Sequence, residues 1–241
     1  MIQGFAKFIY QYLAPLMMLT SLVLIIVGFL APVDPAHTKA ALLTVKPSLE
    51  LFQTDGSTGG KVDGPSVLMG LLGSCSRNDN AADFNCTGMA IHPVYDTSAL
   101  PDSGPGILVA PHSSLATIAS ISLVFTIFFF FLFTLSSFRS KMGAKGAFLD
   151  KPLIQRLTTW LGVIGFIVGL TTFLVVRMWF GKAVDDFNKA LVRQGNDAPR
   201  LIAQIDNAFI LIYVGYAFFA VPLVCSLARF HQPAGGSTSK A

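Results

Sequence analysis

LATIASISLVFTIFFFFLFTL, residues Leu115–Leu135, contains no ionisable side chain and no proline. Crossing the hydrocarbon core of a bilayer takes about 20 residues of apolar helix, so this stretch reads as the centre of a transmembrane span over 115–136. Three more blocks of the same kind lie at 13–31, 157–180 and 205–228, and Arg177, near the end of the third, is the only ionisable residue away from a block's edge. It is close enough to that edge to snorkel. The composition agrees, with 53% hydrophobic and only 12% charged residues and a mean hydropathy of +0.62. Apolar residues gathered in blocks favour a bilayer over a large soluble core. A chain of 241 residues then holds one membrane domain and no separate soluble enzyme.

The first block follows Lys7 and precedes small residues, as a signal peptide would, but its apolar run is longer than a signal needs and it reads as a retained helix. Four spans put both termini on one side. The connection 137–156 carries Arg139, Lys141, Lys145, Lys151 and Arg156 against Asp150 alone, while Lys7 precedes the first span and Arg229 follows the last. Basic residues concentrate on the cytoplasmic side, so 1–12, 137–156 and 229–241 are expected there. The segment 32–114 has eight acids against four bases and is expected outside. The formal charge of +4 is thus a matter of topology, and no nucleic-acid partner is expected.

The segment 32–114 is too long for a plain connector. Its short β-prone runs, 41–45, 48–52 and 67–72, alternate with turn-rich pieces such as Thr54–Gly60 and Asp63–Pro65, predicting a small antiparallel sheet. The proline- and glycine-rich 101–111 returns the chain irregularly to the second span. In the other external connection, 181–204, Val184, Phe187 and Leu191 keep helical spacing, Gly195 suits a C-terminal cap, and Asp197 with Pro199 suits a new helix start. A helical hairpin is therefore expected at 181–204. Counting Asp206 just beyond it, four acids (with Asp185, Asp186 and Asp197) balance four bases (Lys182, Lys189, Arg193 and Arg200). The Gly- and Ser-containing tail reads as disordered.

Gly70-Leu71-Leu72-Gly73-Ser74-Cys75, followed by Cys86, is the most informative local pattern. Two cysteines outside a membrane can close this loop in a disulfide contributing about 3 kcal/mol, the alternative being two free thiols. Asn85-Cys86-Thr87 is a glycosylation sequon whose middle residue is a bridge candidate, which leaves occupancy of Asn85 open. Gly162, Gly165 and Gly169 form a small-residue face for packing within the bundle or for an oligomer contact. Trp160 and Trp179 suit interfacial anchors, Cys225 a small buried apolar residue or a palmitoylation site, and the phenylalanines between Phe125 and Phe133 a surface toward both neighbours and lipid. The hydroxyls of Thr117, Ser120, Ser122, Thr126, Thr171 and Thr172 can bond to their own helices, so they require no transport path. There is no phosphate-binding loop, zinc-protease motif or nucleophile elbow, and His37, His92, His112 and His231 are scattered. No enzyme, metal or cofactor is expected.

At Gly70–Cys86 the sequence resembles the claudin-type motif, in which a Gly-Leu-aromatic step precedes one cysteine and a second follows some ten residues later. Four spans, a long first external loop, a basic cytoplasmic turn and a short second loop match that superfamily's plan. Within it the chain most resembles the fungal Sur-seven/PalI family. Leu72 stands where the aromatic residue belongs, and the external loop has no tryptophan, so only Gly70, Leu71, Cys75 and Cys86 carry over, as a structural brace. The resemblance implies a claudin-like, membrane all-α fold: an antiparallel four-helix bundle with a disulfide-braced, β-rich loop domain. It also implies a plasma-membrane scaffold of cortical, eisosome-like microdomains, linked to cell-wall or stress responses, with lipids, further copies of itself, a larger membrane protein or the cell wall as partners. An auxiliary subunit of a membrane enzyme, channel or pH-signalling receptor is the alternative reading, and a small transporter or oligomeric pore the second.

Overall fold

A computed structural model describes residues 9–33, 40–48, 63–139 and 151–230. Its helices are α1 (Ala14–Leu30, entered through a π-helical turn Ile9–Leu13), α2 (Ser113–Ser137), α3 (Pro152–Gln194) and α4 (Ala208–Phe230), and each is long and apolar enough to cross a membrane. Five strands complete the fold: β1 (Leu43–Pro47), β2 (Ser66–Met69), β3 (Ser74–Arg77), β4 (Asn85–Cys86) and β5 (Leu201–Ile205). The expected run 48–52 falls, after Ser48, outside the described residues, as do the Thr54–Gly60 turn, Lys7, Lys141, Lys145, His37 and the tail from His231.

The chain divides into two compact units. The helical unit comprises described parts of 1–25, 120–170 and 213–241. Within a bilayer, burying apolar surface gives helices little reason to associate, so close packing of small and aromatic residues has to do it. Phe129 on α2 and Phe219 on α4 are fully buried with ring centroids 5.4 Å apart, and Phe166 on α3 meets Phe219 edge-on at 5.6 Å. Two hydroxyls find partners in different ways: Thr126 donates to the Ser122 carbonyl one turn back, and Thr159 pairs with Ser226 across helices at 2.8 Å; Ser21 Oγ and Thr134 Oγ1 are buried without one among the described residues. The phenylalanine run splits as its spacing requires, Phe129 and Phe133 inward and Phe128 and Phe131 outward. Ile121, Val124, Phe128, Phe131 and Leu135 form one exposed stripe at three- and four-residue steps, and Leu157, Trp160, Ile164 and Ile167 form another.

The second unit comprises described parts of 26–119 and 171–212 and holds the sheet, in the order β4-β3-β2-β1-β5 with all neighbours antiparallel. β2 and β3 are almost wholly buried, and Leu42, Leu43, Val45, Val67 and Met69 fill the core beside them.

The connection 181–204 is not the expected helical hairpin. α3 continues to Gln194, and Gly195 at φ 65 stops it, in the left-handed conformation glycine adopts without a Cβ clash. Asp197 and Pro199 then lead into β5, not a new helix, and the fourth helix starts at Ala208 rather than 205. The reason is tertiary. All five residues of β5 lie opposite β1, from Leu43↔Ile205 to Pro47↔Leu201, and this pairing satisfies backbone groups that a short, loop-bound helix would leave open at both ends. The polar end of α3 carries exposed Lys182–Asp186 and Lys189–Asp185 pairs one turn apart.

Candidate functional site

The Gly70–Cys86 motif lies at the centre of the sheet unit. β2 and β3 are joined by Gly70-Leu71-Leu72-Gly73, closed by Gly70 N–H to the Gly73 carbonyl at 2.9 Å. Hairpin tips are usually polar and exposed. This one is turned inward, with Leu71 1% and Leu72 7% exposed. The chain leaving α1 packs on top of it, so a Cβ on Gly70 would stand 1.9 Å from the Ala31 carbonyl oxygen and 2.6 Å from Pro32 Cδ. One on Gly73 would meet Thr87 Oγ1 at 2.7 Å and Val33 Cγ2 at 2.9 Å. Both glycines are required by close approach, and Leu72 supplies apolar volume.

Cys75 and Cys86 face each other across β3 and β4 and are joined in a disulfide. Cys75 is fully buried beside Ala41 and Leu68, with Phe84 packed against the cluster. β4 is only two residues long, and it is secured further by Thr87. Its backbone N–H donates to the Ser74 carbonyl at 2.9 Å, and its hydroxyl accepts from Ser74 N–H at 3.0 Å. Asn85, the sequon asparagine, is exposed on this strand.

Three groups that the sequence did not single out complete the assembly. The Tyr95 hydroxyl donates to the Gly70 carbonyl at 2.6 Å, and burial pushes its phenol pKa well above the ordinary value. Asp96 accepts from the Ser98 hydroxyl at 2.6 Å and backbone N–H at 3.0 Å, and from Ser76 on β3 at 3.0 Å; these bonds hold its carboxylate below the usual range. Asn188, on the polar end of α3, donates its amide N–H to the Ala203 carbonyl and accepts from Ala203 N–H, both at 2.9 Å. It occupies the place of a sixth strand and covers the outer edge of β5, an edge that would otherwise recruit other chains. A lone amide among charged residues gives no local sign of this, and neither does Tyr95.

The Gly162, Gly165 and Gly169 face belongs to the helical unit and is filled from within the chain. A Cβ at Gly162 would meet Phe129 at 2.7 Å, one at Gly165 Thr126 at 3.2 Å, and one at Gly169 the Tyr216 hydroxyl at 2.0 Å. The face is therefore filled by side chains of α2 and α4. Trp160 and Trp179 are outward on α3. His92 and His112 are exposed, and His112 Nδ1 bonds Ser114 at 2.9 Å. Among the described residues no three His, Cys, Asp or Glu side chains gather as a metal centre.

The class this defines is a multi-pass membrane protein, mostly helical, carrying a small antiparallel sheet with one disulfide. No protein-family model and no curated protein matches the chain.

Proposed function

We propose that this protein is a non-enzymatic scaffold of the plasma membrane, with both termini cytoplasmic and the sheet unit outside, assembling laterally with copies of itself and with lipid. The observation that carries the reading is the construction of the sheet unit. Its strands come from two inter-helix connections, α1–α2 and α3–α4, a disulfide joins β3 to β4, and Asn188 covers the far edge. Such a unit keeps its shape and presents a surface, which is what a scaffold needs from the part that meets a cell wall or a neighbouring protein. The same features support the claudin-like plan that the Gly70–Cys86 motif resembles, and with it a Sur-seven/PalI-type role in cortical, eisosome-like microdomains. Lateral contacts fall to the outward stripes, Ile121 to Leu135 and Leu157 to Ile167, because the glycine face is occupied. Native mass analysis of the tagged protein from its own membrane tests this. Homo-oligomers with bound lipid are expected; one larger protein in fixed ratio overturns the scaffold reading in favour of an auxiliary subunit.

A further inference from the structure

The sequon Asn85-Cys86-Thr87 is held by the fold at every position. Asn85 lies opposite Ser76, Cys86 is bonded to Cys75, and the Thr87 hydroxyl takes up Ser74 N–H at 3.0 Å and donates to the Ser74 carbonyl at 3.2 Å. An oligosaccharyl transferase reads the hydroxyl two residues after the asparagine and needs the backbone between them free to turn. The folded strand denies it both. Yet Asn85 itself is exposed, so a sugar already attached there projects away from the sheet without displacing a buried neighbour. The folded protein thus tolerates the product and refuses the reaction.

We infer that Asn85 is an N-glycosylation acceptor that is open only before the Cys75–Cys86 bridge closes, so that oxidative folding and glycan transfer compete for the same three residues. In the transfer, the Asn85 side-chain nitrogen attacks C1 of the first sugar of a lipid diphosphate-linked oligosaccharide. The N–C1 bond forms as the C1–O bond to diphosphate breaks. The lipid diphosphate leaves, and the amide proton passes to a base of the transferase. No oxidant or reductant enters this step. Bridge formation is the separate, oxidising event that ends it, since closing β3 on β4 brings Ser74 to the Thr87 hydroxyl. Two populations follow from one sequence, a bridged chain with the glycan and a bridged chain without it. The inference rests on the proposed sidedness, which places the sheet unit in the secretory lumen during synthesis.

The experiment is expression of the full chain in cells with an endoplasmic reticulum, reading occupancy as the mobility shift removed by an endoglycosidase. Wild type is expected to be partly occupied. Cys75→Ser and Cys86→Ser both keep an intact sequon while abolishing the bridge, and are expected to raise the occupied fraction about twofold. A reductant added during synthesis is expected to do the same for wild type, and neither effect depends on the variants folding. Asn85→Gln removes the shift. Equal occupancy in wild type and both cysteine variants, whether full or absent, overturns the competition. A separate chain carrying Asp55→Asn and Asn85→Gln places a sequon at 55–57 and reports sidedness alone. Its glycosylation with Asn85 bare in every variant overturns the acceptor; no glycan on either chain overturns the sidedness and the inference with it.

Discussion

Gly70→Ala is the most demanding test of the site. The added methyl carbon would lie 1.9 Å from the Ala31 carbonyl oxygen, 2.6 Å from Pro32 Cδ and 2.8 Å from the Ala31 carbonyl carbon. An ordinary contact to carbon begins near 3.4 Å, so the Gly70 turn and the 31–33 segment must separate by more than 1 Å. Neither side yields cheaply. Ala31 is fully buried, and Gly70 is held by its bond to Gly73 and by the Tyr95 hydroxyl on its own carbonyl. Overpacking in a well-packed core costs about 1–3 kcal/mol, and a clash with backbone belongs at or beyond the top of that range. Breaking the Tyr95 bond would add about 1 kcal/mol. Loss of about 3–4 kcal/mol is therefore expected for Gly70→Ala. Gly106→Ala, where nothing lies within 4 Å of the new methyl, is expected to stay within about 0.5 kcal/mol of wild type. Thermal unfolding in detergent, followed under reduction by alkylation of Cys75, which is fully buried in the fold, reads both variants side by side. A Gly70→Ala protein melting with Gly106→Ala would refute the close approach on which the motif's meaning depends.

Three further expectations follow from other contacts. Asn188→Ala leaves Ala203 N–H and C=O without their amide partner, and at about 1–3 kcal/mol per orphaned group it should speed amide exchange across β5 while leaving β3 protected; unchanged exchange at Ala203 would remove the edge-covering role. Asp96 has a depressed pKa, so its contribution is fully present above the ordinary carboxylate value and is lost as pH falls through the lower folded value. Asp96→Asn should accordingly loosen residues 95–98 at neutral pH, with the difference from wild type vanishing in acid; a difference that persists there would mean the charge is not what holds the loop. Gly169→Leu fills the slot that receives the Tyr216 hydroxyl and should disrupt packing of α3 on α4, read as lower thermal stability in detergent, whereas Ile167→Leu on the outward stripe of the same helix should have little effect.

The division between what the sequence determined and what only the tertiary structure decided follows the range of the interactions involved. The four spans were legible because insertion depends on the summed hydropathy of about 20 consecutive residues, a local quantity. Gly195 announced the end of α3 for the same reason, since its conformation is its own. The pairing of Cys75 with Cys86 was readable as one of two outcomes, because the cysteines are eleven residues apart and share a compartment. β5 was not legible. Leu201–Ile205 is a short apolar run that suits helix or strand equally, and what chose strand was β1, more than 150 residues earlier in the chain. Gly70 could be recognised as part of a motif, but the oxygen that forbids a side chain there belongs to Ala31, which only the folded chain brings within reach. The direction of the Gly162–Gly169 face was likewise undecided, because small residues permit close approach by any helix, and it is the bulk of Phe129 and the hydroxyl of Tyr216 that fill this one.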